Sequence, residues 1–309
     1  MSFQSTLQNH YSPRTMFINE EMTMYAITGI SGKVGGATAK TLLAAGHKIR
    51  AVLRDKQKAQ TWRERGCDVA LAELHDVSAL TTAFTGVDGV FILMPSNFDP
   101  TPGFPETHQL IANIIAAISA ANPPKVVLLS TIGAQALEPN LLNQLGAAEQ
   151  AFATLSMPVT VLRAAWFMEN AVWDVAAARE ESVYRSFLQP LSQTFPMIAT
   201  QDIGSLAAFL LTEASSGYRV VELEGPQRYT PREVANAFAL ALQQNVATQV
   251  VPRDSWHDLF TSQGMKNPLP RMQMLDGFNQ GWIEFETDTV MYGTTRLEQV
   301  IAQLVEPQR

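Results

Sequence analysis

The chain has 309 residues, of which 46% are hydrophobic and 17% are charged. This composition is that of a globular protein with a sizeable core, and it excludes a disordered chain. The formal net charge of −7 argues against general binding to nucleic acid or to an anionic membrane, because the field of the protein repels phosphates. We therefore expect no direct nucleic-acid binding and no membrane association.

The chain contains a single cysteine, Cys67, so it cannot form an intrachain disulfide, and we expect a cytoplasmic location. The 5 histidines lie far apart and show no metal-ligand spacing, so no metal site is predicted. No apolar run reaches the ~18 residues that a membrane span requires. Residues 1–22 lack the apolar segment of a secretory signal, and we interpret them as an N-terminal extension.

Residues 23–165 alternate strand-like and helix-like patterns. The predicted strands are short apolar runs at 24–28, 49–53, 68–71, 90–94, 125–130 and 159–162. Helical patterns lie at 34–45, around 111–118 and at 141–155. Short connections between alternating strands and helices imply a parallel sheet with right-handed crossovers. The prediction is an α/β fold with a Rossmann-type, doubly wound parallel sheet.

The regular alternation fades beyond residue 165. Asp202 is predicted to cap a following helix, and Thr230 forms a capping box with Glu233. No low-complexity linker separates the two halves. Residues 166–309 are therefore expected to form a smaller α+β substrate-binding lobe, interleaved with the end of the sheet.

Three glycines spaced three residues apart, Gly29, Gly32 and Gly35, follow the first strand and precede the first helix. In a dinucleotide-binding loop one glycine permits a tight turn, one admits the pyrophosphate, and one lets the helix pack closely on the strand. The helix N-terminus supplies free N–H groups to the phosphates. The residues predicted to bind the cofactor here are Gly29, Ile30, Ser31, Gly32, Lys33, Val34 and Gly35.

The end of the second strand indicates which dinucleotide is preferred. A site for NAD usually has a carboxylate here, which accepts a hydrogen bond from the ribose 2′-hydroxyl. This chain has Arg54 at that position and Lys58 just beyond it. A guanidinium suits a 2′-phosphate, so NADP(H) is the predicted cofactor. If Asp55 faces the ribose in place of Arg54, NAD is accepted as well.

Several motifs in the same order resemble the NmrA-like family, an atypical branch of the short-chain dehydrogenases and reductases. The resemblance covers roughly residues 24–305. The motifs include the glycine loop with Thr28 before it, the Val-Leu-Arg-Asp sequence at 52–55, the Leu-Leu-Ser-Thr sequence at 128–131, and residues 161–170 around Trp166. The family includes NADPH-dependent quinone reductases and non-enzymatic NADP sensors.

The resemblance implies roles for residues at the carboxyl ends of the strands. Glu73 and Leu74 are expected beside the adenine, with Asp76 as a helix cap. Met94 and Pro95 are expected to flank the nicotinamide half, with Ser130 and Thr131 nearby. The expected border of the substrate cleft consists of Trp166, Phe167, Met168 and Asn170.

One element of the usual catalytic machinery is missing. Short-chain reductases commonly place a tyrosine four residues before a lysine for proton transfer, and no tyrosine here has that partner. Many NmrA-like reductases have a lysine on the helix before the sixth strand, but residues 141–149 contain none. No catalytic residue is therefore assigned, and ordinary acid–base reduction of a carbonyl is not expected.

Two functions remain open from the sequence. The first is NADPH-dependent hydride transfer to a flat, electron-poor acceptor such as a quinone, which depends mainly on positioning. The second is a non-catalytic NADP(H) sensor that acts through a protein partner, because the fold alone does not establish an activity. The expected partner is a small-molecule acceptor or a regulatory protein, and the expected assembly is a monomer or homodimer.

Overall fold

The computed structural model describes residues 23–287 and 289–306. The predicted extension, residues 1–22, lies outside this part. The elements of the first half, in chain order, are β1 (Met24–Ile27), α1 (Lys33–Ala44), β2 (Lys48–Leu53), α2 (Lys56–Glu64), β3 (Asp68–Leu71), α3 (Val77–Phe84), β4 (Gly89–Ile92), α4 (Pro105–Ala121), β5 (Val126–Thr131), α5 (Asn143–Phe152) and β6 (Val159–Ala164).

The second half contains shorter elements and two 3-10 helices. In chain order they are β7 (Trp166–Phe167), the 3-10 helix Met168–Asp174, α6 (Val175–Glu180), β8 (Val183–Ser186), β9 (Met197–Ile198), α7 (Thr200–Thr212), β10 (Tyr218–Glu224), α8 (Pro231–Leu242), β11 (Ala247–Val250), the 3-10 helix Arg253–Ser255, α9 (Trp256–Ser262), α10 (Leu269–Gln280), β12 (Met291–Tyr292) and α11 (Leu297–Val305).

The main sheet has 8 strands in the order β12-β10-β6-β5-β4-β1-β2-β3, and every pair in it is parallel. The order reverses between β1 and β4, which is the position where a doubly wound sheet opens a ligand crevice. The Rossmann-type α/β prediction is confirmed. Two strands of the second half, β10 and β12, extend the sheet, and the remainder forms two small sheets, β11-β8 and β7-β9.

Apolar residues form a core on each face of the main sheet and a third core in the second half. Helices α1, α2 and α7 cover one face, and α3, α4 and α5 cover the other. Gly204 of α7 lies so close to α1 that a Cβ atom there would collide with Ala37. Helices α6, α8, α9, α10 and α11 enclose the third core around Tyr229, Phe238 and Trp256.

The start of α7 corrects one prediction. The helix begins at Thr200, so Asp202 lies inside its first turn and does not cap it. The carboxylate of Glu169 instead accepts hydrogen bonds from the Thr200 N–H at 2.9 Å and from the Thr200 hydroxyl at 2.5 Å. Asp202 accepts hydrogen bonds from the N–H groups of Thr294 and Thr295, and so fixes the chain before α11. The capping box at Thr230 is present as predicted.

Candidate functional site

The glycine loop has a distinct geometry at each of its three glycines. Gly29 has a positive φ of 63°, which closes the turn after β1. A Cβ atom on Gly35 would collide with the carbonyl oxygen of Gly29, so only glycine allows α1 to pack this close to the strand. Gly32 has an ordinary φ of −88°, and a Cβ there would meet only the Gly29 oxygen, at 3.2 Å. Its open side faces away from the loop, where a ligand has room.

The N-terminus of α1 is not capped by any side chain. Its first N–H groups are therefore free to receive an anion. The side chains of Ile30 and Val34 are buried, so these two residues can offer only backbone to a ligand. Ser31 and Lys33 are exposed on the loop.

A depression of about 660 Å³ lies beside the loop, between α1 and α2. Three cations line it, Lys40, Lys58 and Arg65, and none of its lining residues is acidic. Lys58 was predicted to belong to the site. Lys40 and Arg65 were not, because they lie on different helices and no local pattern joins them. Arg54 is exposed where β2 ends and is not part of the lining.

Asp55 has a structural partner in α2. Its carboxylate accepts a hydrogen bond from the Gln57 N–H at 2.8 Å, so it caps this helix. A side chain held in this way has less freedom to reach a ribose. The helix itself was not predicted from the sequence.

Glu73 and Leu74 follow β3, as expected. Glu73 is exposed, with its carboxylate 3.3 Å from Nε2 of His75, and Leu74 packs against the apolar core beneath α3 and α4. Asp76 caps α3 by accepting a hydrogen bond from the Ala79 N–H at 2.9 Å, as predicted. Neither Glu73 nor Leu74 lines the depression or the cleft described next, so their place beside the adenine stays a prediction.

A cleft of about 460 Å³ opens at the carboxyl ends of β4, β5 and β6. Seven residues predicted from the sequence line it together: Met94, Pro95, Ser130, Thr131, Trp166, Phe167 and Asn170. Leu93 also lines the cleft and lies against Gly29. The hydroxyl of Thr28 donates to the Phe91 oxygen and accepts from the Leu93 N–H, which ties the glycine loop to this wall.

Met168 corrects the prediction for the cleft border. It begins a 3-10 helix that turns its side chain into the third core, where it is 1% exposed and packs against Gly225. It therefore does not line the cleft. Other residues, which the sequence did not predict, also line the cleft; some adjoin the predicted ones and others come from distant segments: Ser96, Asn97, Phe98, Glu106, Thr107, Leu110, Leu129, Leu141, Leu142, Gln144, Leu145, Ala165, Met274 and Phe278.

The wall of the cleft is largely apolar and aromatic. The ring of Trp166 meets that of Phe278 edge-on, with 5.3 Å between centroids, which holds Trp166 in place. Phe167 lies beside it, and Phe98 is 54% exposed at the opposite wall. Such a cleft suits a flat, apolar ligand.

Ser130 connects the cleft to a buried charge network. Its hydroxyl donates to Glu149 at 2.5 Å, and Glu149 accepts three more hydrogen bonds from Nε and Nη2 of Arg163. Arg163 also contacts Glu222 and Glu286. Desolvation lowers the pKa of Arg163, but hydrogen bonds to Glu149 and Glu286 outweigh it and raise this pKa overall. The Ser130 proton is thus directed at a carboxylate, away from the cleft.

No tyrosine in the described ranges 23–287 and 289–306 lines the cleft. Tyr184 and Tyr229 are buried in the third core, and burial raises the pKa of both phenols. Tyr218 begins β10, at the end of the sheet opposite the cleft. Within the same ranges no group of three His, Cys, Asp or Glu residues is placed to hold a metal ion, and no helix is long and apolar enough to cross a membrane.

The sequence matches the model of the NmrA-like family over residues 22–289, which is most of the chain. The chain belongs to the NmrA-like family. The resemblance inferred from the motifs is confirmed. Family membership and the sheet order establish the fold around the glycine loop and the cleft.

Several similar proteins are reductases. The chain is 27% identical to an NAD(P)H azoreductase from Xenophilus azovorans, over 80% of this chain and 83% of the relative. It is 27% identical to quinone oxidoreductase 2 of Escherichia coli strain K12, over 81% and 85%.

Two solved structures share the fold. The crystal structure of an NADPH-dependent quinone oxidoreductase from Escherichia coli, complexed with NADPH, has a TM-score of 0.75 at 22% identity and covers 92% of this chain and 99% of its own. The Citrobacter sp. triphenylmethane reductase complexed with NADP(H) has a TM-score of 0.73 at 22% identity and covers 91% of this chain and 99% of its own.

Proposed function

We propose that this NmrA-like protein is an oxidoreductase that binds NADPH in preference to NADH and reduces a flat, quinone-like acceptor. The observation that carries the proposal is the aromatic cleft, which opens at the carboxyl ends of the strands. Leu93 lines this cleft and also lies against Gly29, so the cleft adjoins the glycine loop. The similarity to an NAD(P)H azoreductase and to a quinone oxidoreductase supports the same chemistry.

The loop fits a dinucleotide on geometric grounds. The tight turn at Gly29, the open side of Gly32 and the uncapped start of α1 together form a cradle for a pyrophosphate. Lys58 and Lys40 would stand on the 2′-phosphate side, with Arg54 at the end of β2. When bound, the reduced nicotinamide supplies a hydride.

The cleft residues would act mainly by holding the acceptor. Trp166, Phe167 and Met94 provide a wall against which a planar ring can stack. Ser130 directs its proton to Glu149, and no tyrosine or lysine of the described part of the chain lines this cleft. Transfer of a hydride to a quinone gives a hydroquinone anion, which takes its remaining proton from water. Catalysis therefore rests on positioning.

We further propose that residues 23–165 hold the cofactor and that residues 166–309 complete the substrate side, since Trp166, Phe167, Asn170, Met274 and Phe278 come from the second half. A cytoplasmic location is consistent with Cys67, which is a buried, free thiol. A monomer or homodimer stays a prediction.

Oxidation of NADPH against a panel of quinones, with NADH alongside, tests the function. We expect turnover, and we expect Phe167→Ala to lower kcat/KM while Tyr184→Phe changes it by about threefold or less. If calorimetry shows tight NADPH binding but no quinone is reduced, the reductase proposal is wrong and the redox-sensor function is favoured. An equal loss in Phe167→Ala and Tyr184→Phe would show that the cleft is not where the acceptor lies.

A further inference from the structure

Arg271 lies on α10 next to Phe98, a residue of the cleft wall, and does not itself line the cleft. Met274 and Phe278, one and two turns further along the same helix face, line the cleft. The guanidinium lies 4.3 Å from the centroid of the Phe260 ring and 5.9 Å from that of Phe98, and Phe98 is also a cleft residue. The loop carrying Phe98 is fixed to the turn before α10, because Asp99 accepts hydrogen bonds from the N–H groups of Lys266 and Asn267.

The charge of Arg271 is not neutralised by the protein. Its side chain is half-buried, and within residues 23–287 and 289–306 no carboxylate forms an ion pair with it. Its one polar contact is with the Met265 sulfur at 3.7 Å. Desolvation lowers the pKa of this guanidinium without any opposing contribution. By contrast, the half-buried Arg50 and the buried Arg163 both pair with carboxylates.

A half-buried arginine without an anion is costly unless a ligand supplies the anion. Two aromatic rings flank the planar guanidinium, and one of its N–H groups contacts the Met265 sulfur, a weak acceptor. That geometry matches a carboxylate or sulfonate, which can accept two parallel hydrogen bonds. Asp99, in the loop that carries Phe98, accepts hydrogen bonds from the N–H groups of Lys266 and Asn267.

We propose that Arg271 is a specificity residue that selects flat acceptors carrying an anionic substituent. The reacting ring would lie in the aromatic part of the cleft, and the carboxylate or sulfonate would point outward to the guanidinium. Glu106, which also lines the cleft, is partnered with the Thr101 hydroxyl. This proposal rests on the proposed reductase function and specifies further that the acceptor carries a negative charge.

The test uses two acceptors that differ in charge alone: menadione with a propionate side chain at the free ring position, and the methyl ester of the same compound. The quinone ring is identical, so its reactivity cancels. Arg271→Met keeps an apolar stem against Phe260 and Phe98 but removes the charge. Lys266→Met is the matched control, because Lys266 is an exposed cation near the same end of α10.

We expect wild type to have a lower KM for the propionate than for the ester. Arg271→Met should raise the KM for the propionate by about tenfold and leave that for the ester within about twofold. Lys266→Met should change neither, since exposed charges contribute little. An equal loss for both acceptors in Arg271→Met would assign Arg271 a packing role only and overturn the proposal.

A binding measurement separates this proposal from the proposed function. The dissociation constants of the two acceptors are measured on the NADP⁺-loaded protein, where no hydride is available. A propionate preference that Arg271→Met abolishes supports the anion site even if wild type shows no turnover. No preference in wild type overturns the proposal, whether or not the ester is reduced.

Discussion

Arg54 and Asp55 follow β2 next to each other, and the structure gives them different environments. Asp55 accepts a hydrogen bond from the Gln57 N–H and caps α2, whereas Arg54 is exposed and has no ion-pair partner in the described part of the chain. Lys58, one turn into α2, lines the basic depression. Lys58 and Arg54 therefore lie where we propose that the 2′-phosphate binds, and the neighbouring carboxylate of Asp55 is bound to the start of α2.

Arg54→Ala is expected to remove most of the preference for NADPH. Loss of a charge-assisted hydrogen bond costs about 1.5–3 kcal/mol, or roughly tenfold to a hundredfold in affinity for NADPH, while NADH binding stays nearly unchanged. Arg63→Ala is the control, because Arg63 is an exposed cation in the last turn of α2, the helix that follows Arg54. The dissociation constants for NADPH and for NADH are measured by calorimetry for each protein. Equal affinity of wild type for NADPH and NADH would show that the 2′-phosphate is not recognised.

The sequence predicted the cleft residues that lie directly at the ends of strands. Met94, Ser130, Thr131 and Phe167 all line the cleft, since parallel strands bring their carboxyl ends to one edge. Met168 does not, because the 3-10 helix that it begins reverses the side-chain direction. The cleft residues of α10 and the cations Lys40 and Arg65 depend on tertiary packing, which no local pattern reports.

At the scale of elements, the glycines of the loop meet two different requirements, close packing of α1 and room for a ligand. Their spacing alone does not show which glycine meets which requirement. Gly35 is needed for the fold, because a Cβ atom there would collide with the Gly29 carbonyl oxygen. Gly32 has a φ of −88°, which suits any residue, and a Cβ atom there would meet only the Gly29 carbonyl oxygen, at 3.2 Å, which a small shift relieves. The proposed position of the pyrophosphate would account for a glycine here.

Gly32→Val is expected to abolish NADPH binding while the protein stays folded, because the side chain would occupy the place of the pyrophosphate. Gly35→Ala is expected to lower the free energy of unfolding by about 1–3 kcal/mol, since an added methyl must displace backbone. Calorimetric titration and thermal unfolding of both variants separate the two effects. Undiminished NADPH binding by folded Gly32→Val would place the cofactor elsewhere.

The elements themselves differ in how well the sequence predicts them. The six strands from β1 to β6 are apolar runs that end at glycine, proline or polar residues, and they were predicted. Helix α2 was missed because its residues 56–64 are mostly polar and charged, with only Ala59 and Trp62 buried. The start of α7 was misplaced because Glu169, distant in sequence, caps it.

At the scale of the whole molecule, buried charges join the two halves. Arg163 of β6 contacts Glu149 of α5, Glu222 of β10 and Glu286 near the end of the chain. Glu222 also accepts hydrogen bonds from the N–H groups of Glu286 and Thr287. These contacts hold the second half of the chain against the main sheet, to which its strands β10 and β12 belong.

Asp174 is a half-buried carboxyl group without a compensating cation in the described ranges. It ends the 3-10 helix after β7, and no described residue donates a hydrogen bond to its carboxylate. Desolvation raises the pKa of Asp174 from 3.8 to about 7, and its charge contributes to the raised pKa of Tyr184. Its ionisation therefore opposes folding. The carboxylates of Glu149, Glu222 and Glu286 differ, because each of them forms an ion pair with Arg163.

Asp174→Asn is expected to stabilise the protein at about pH 8 and to have little effect near about pH 4. Between the unfolded pKa of 3.8 and the folded pKa of about 7, the folded state keeps a proton that the unfolded state releases. The free energy of unfolding of wild type therefore falls as the pH rises through this range, and the amide removes that loss. We expect a gain of about 1–3 kcal/mol at the higher pH, measured by urea unfolding. Asp258→Asn, at a side chain that is 95% exposed, controls for the change in net charge. A gain of the same size at both pH values, or an equal gain in Asp258→Asn, would show that the charge of Asp174 does not oppose folding.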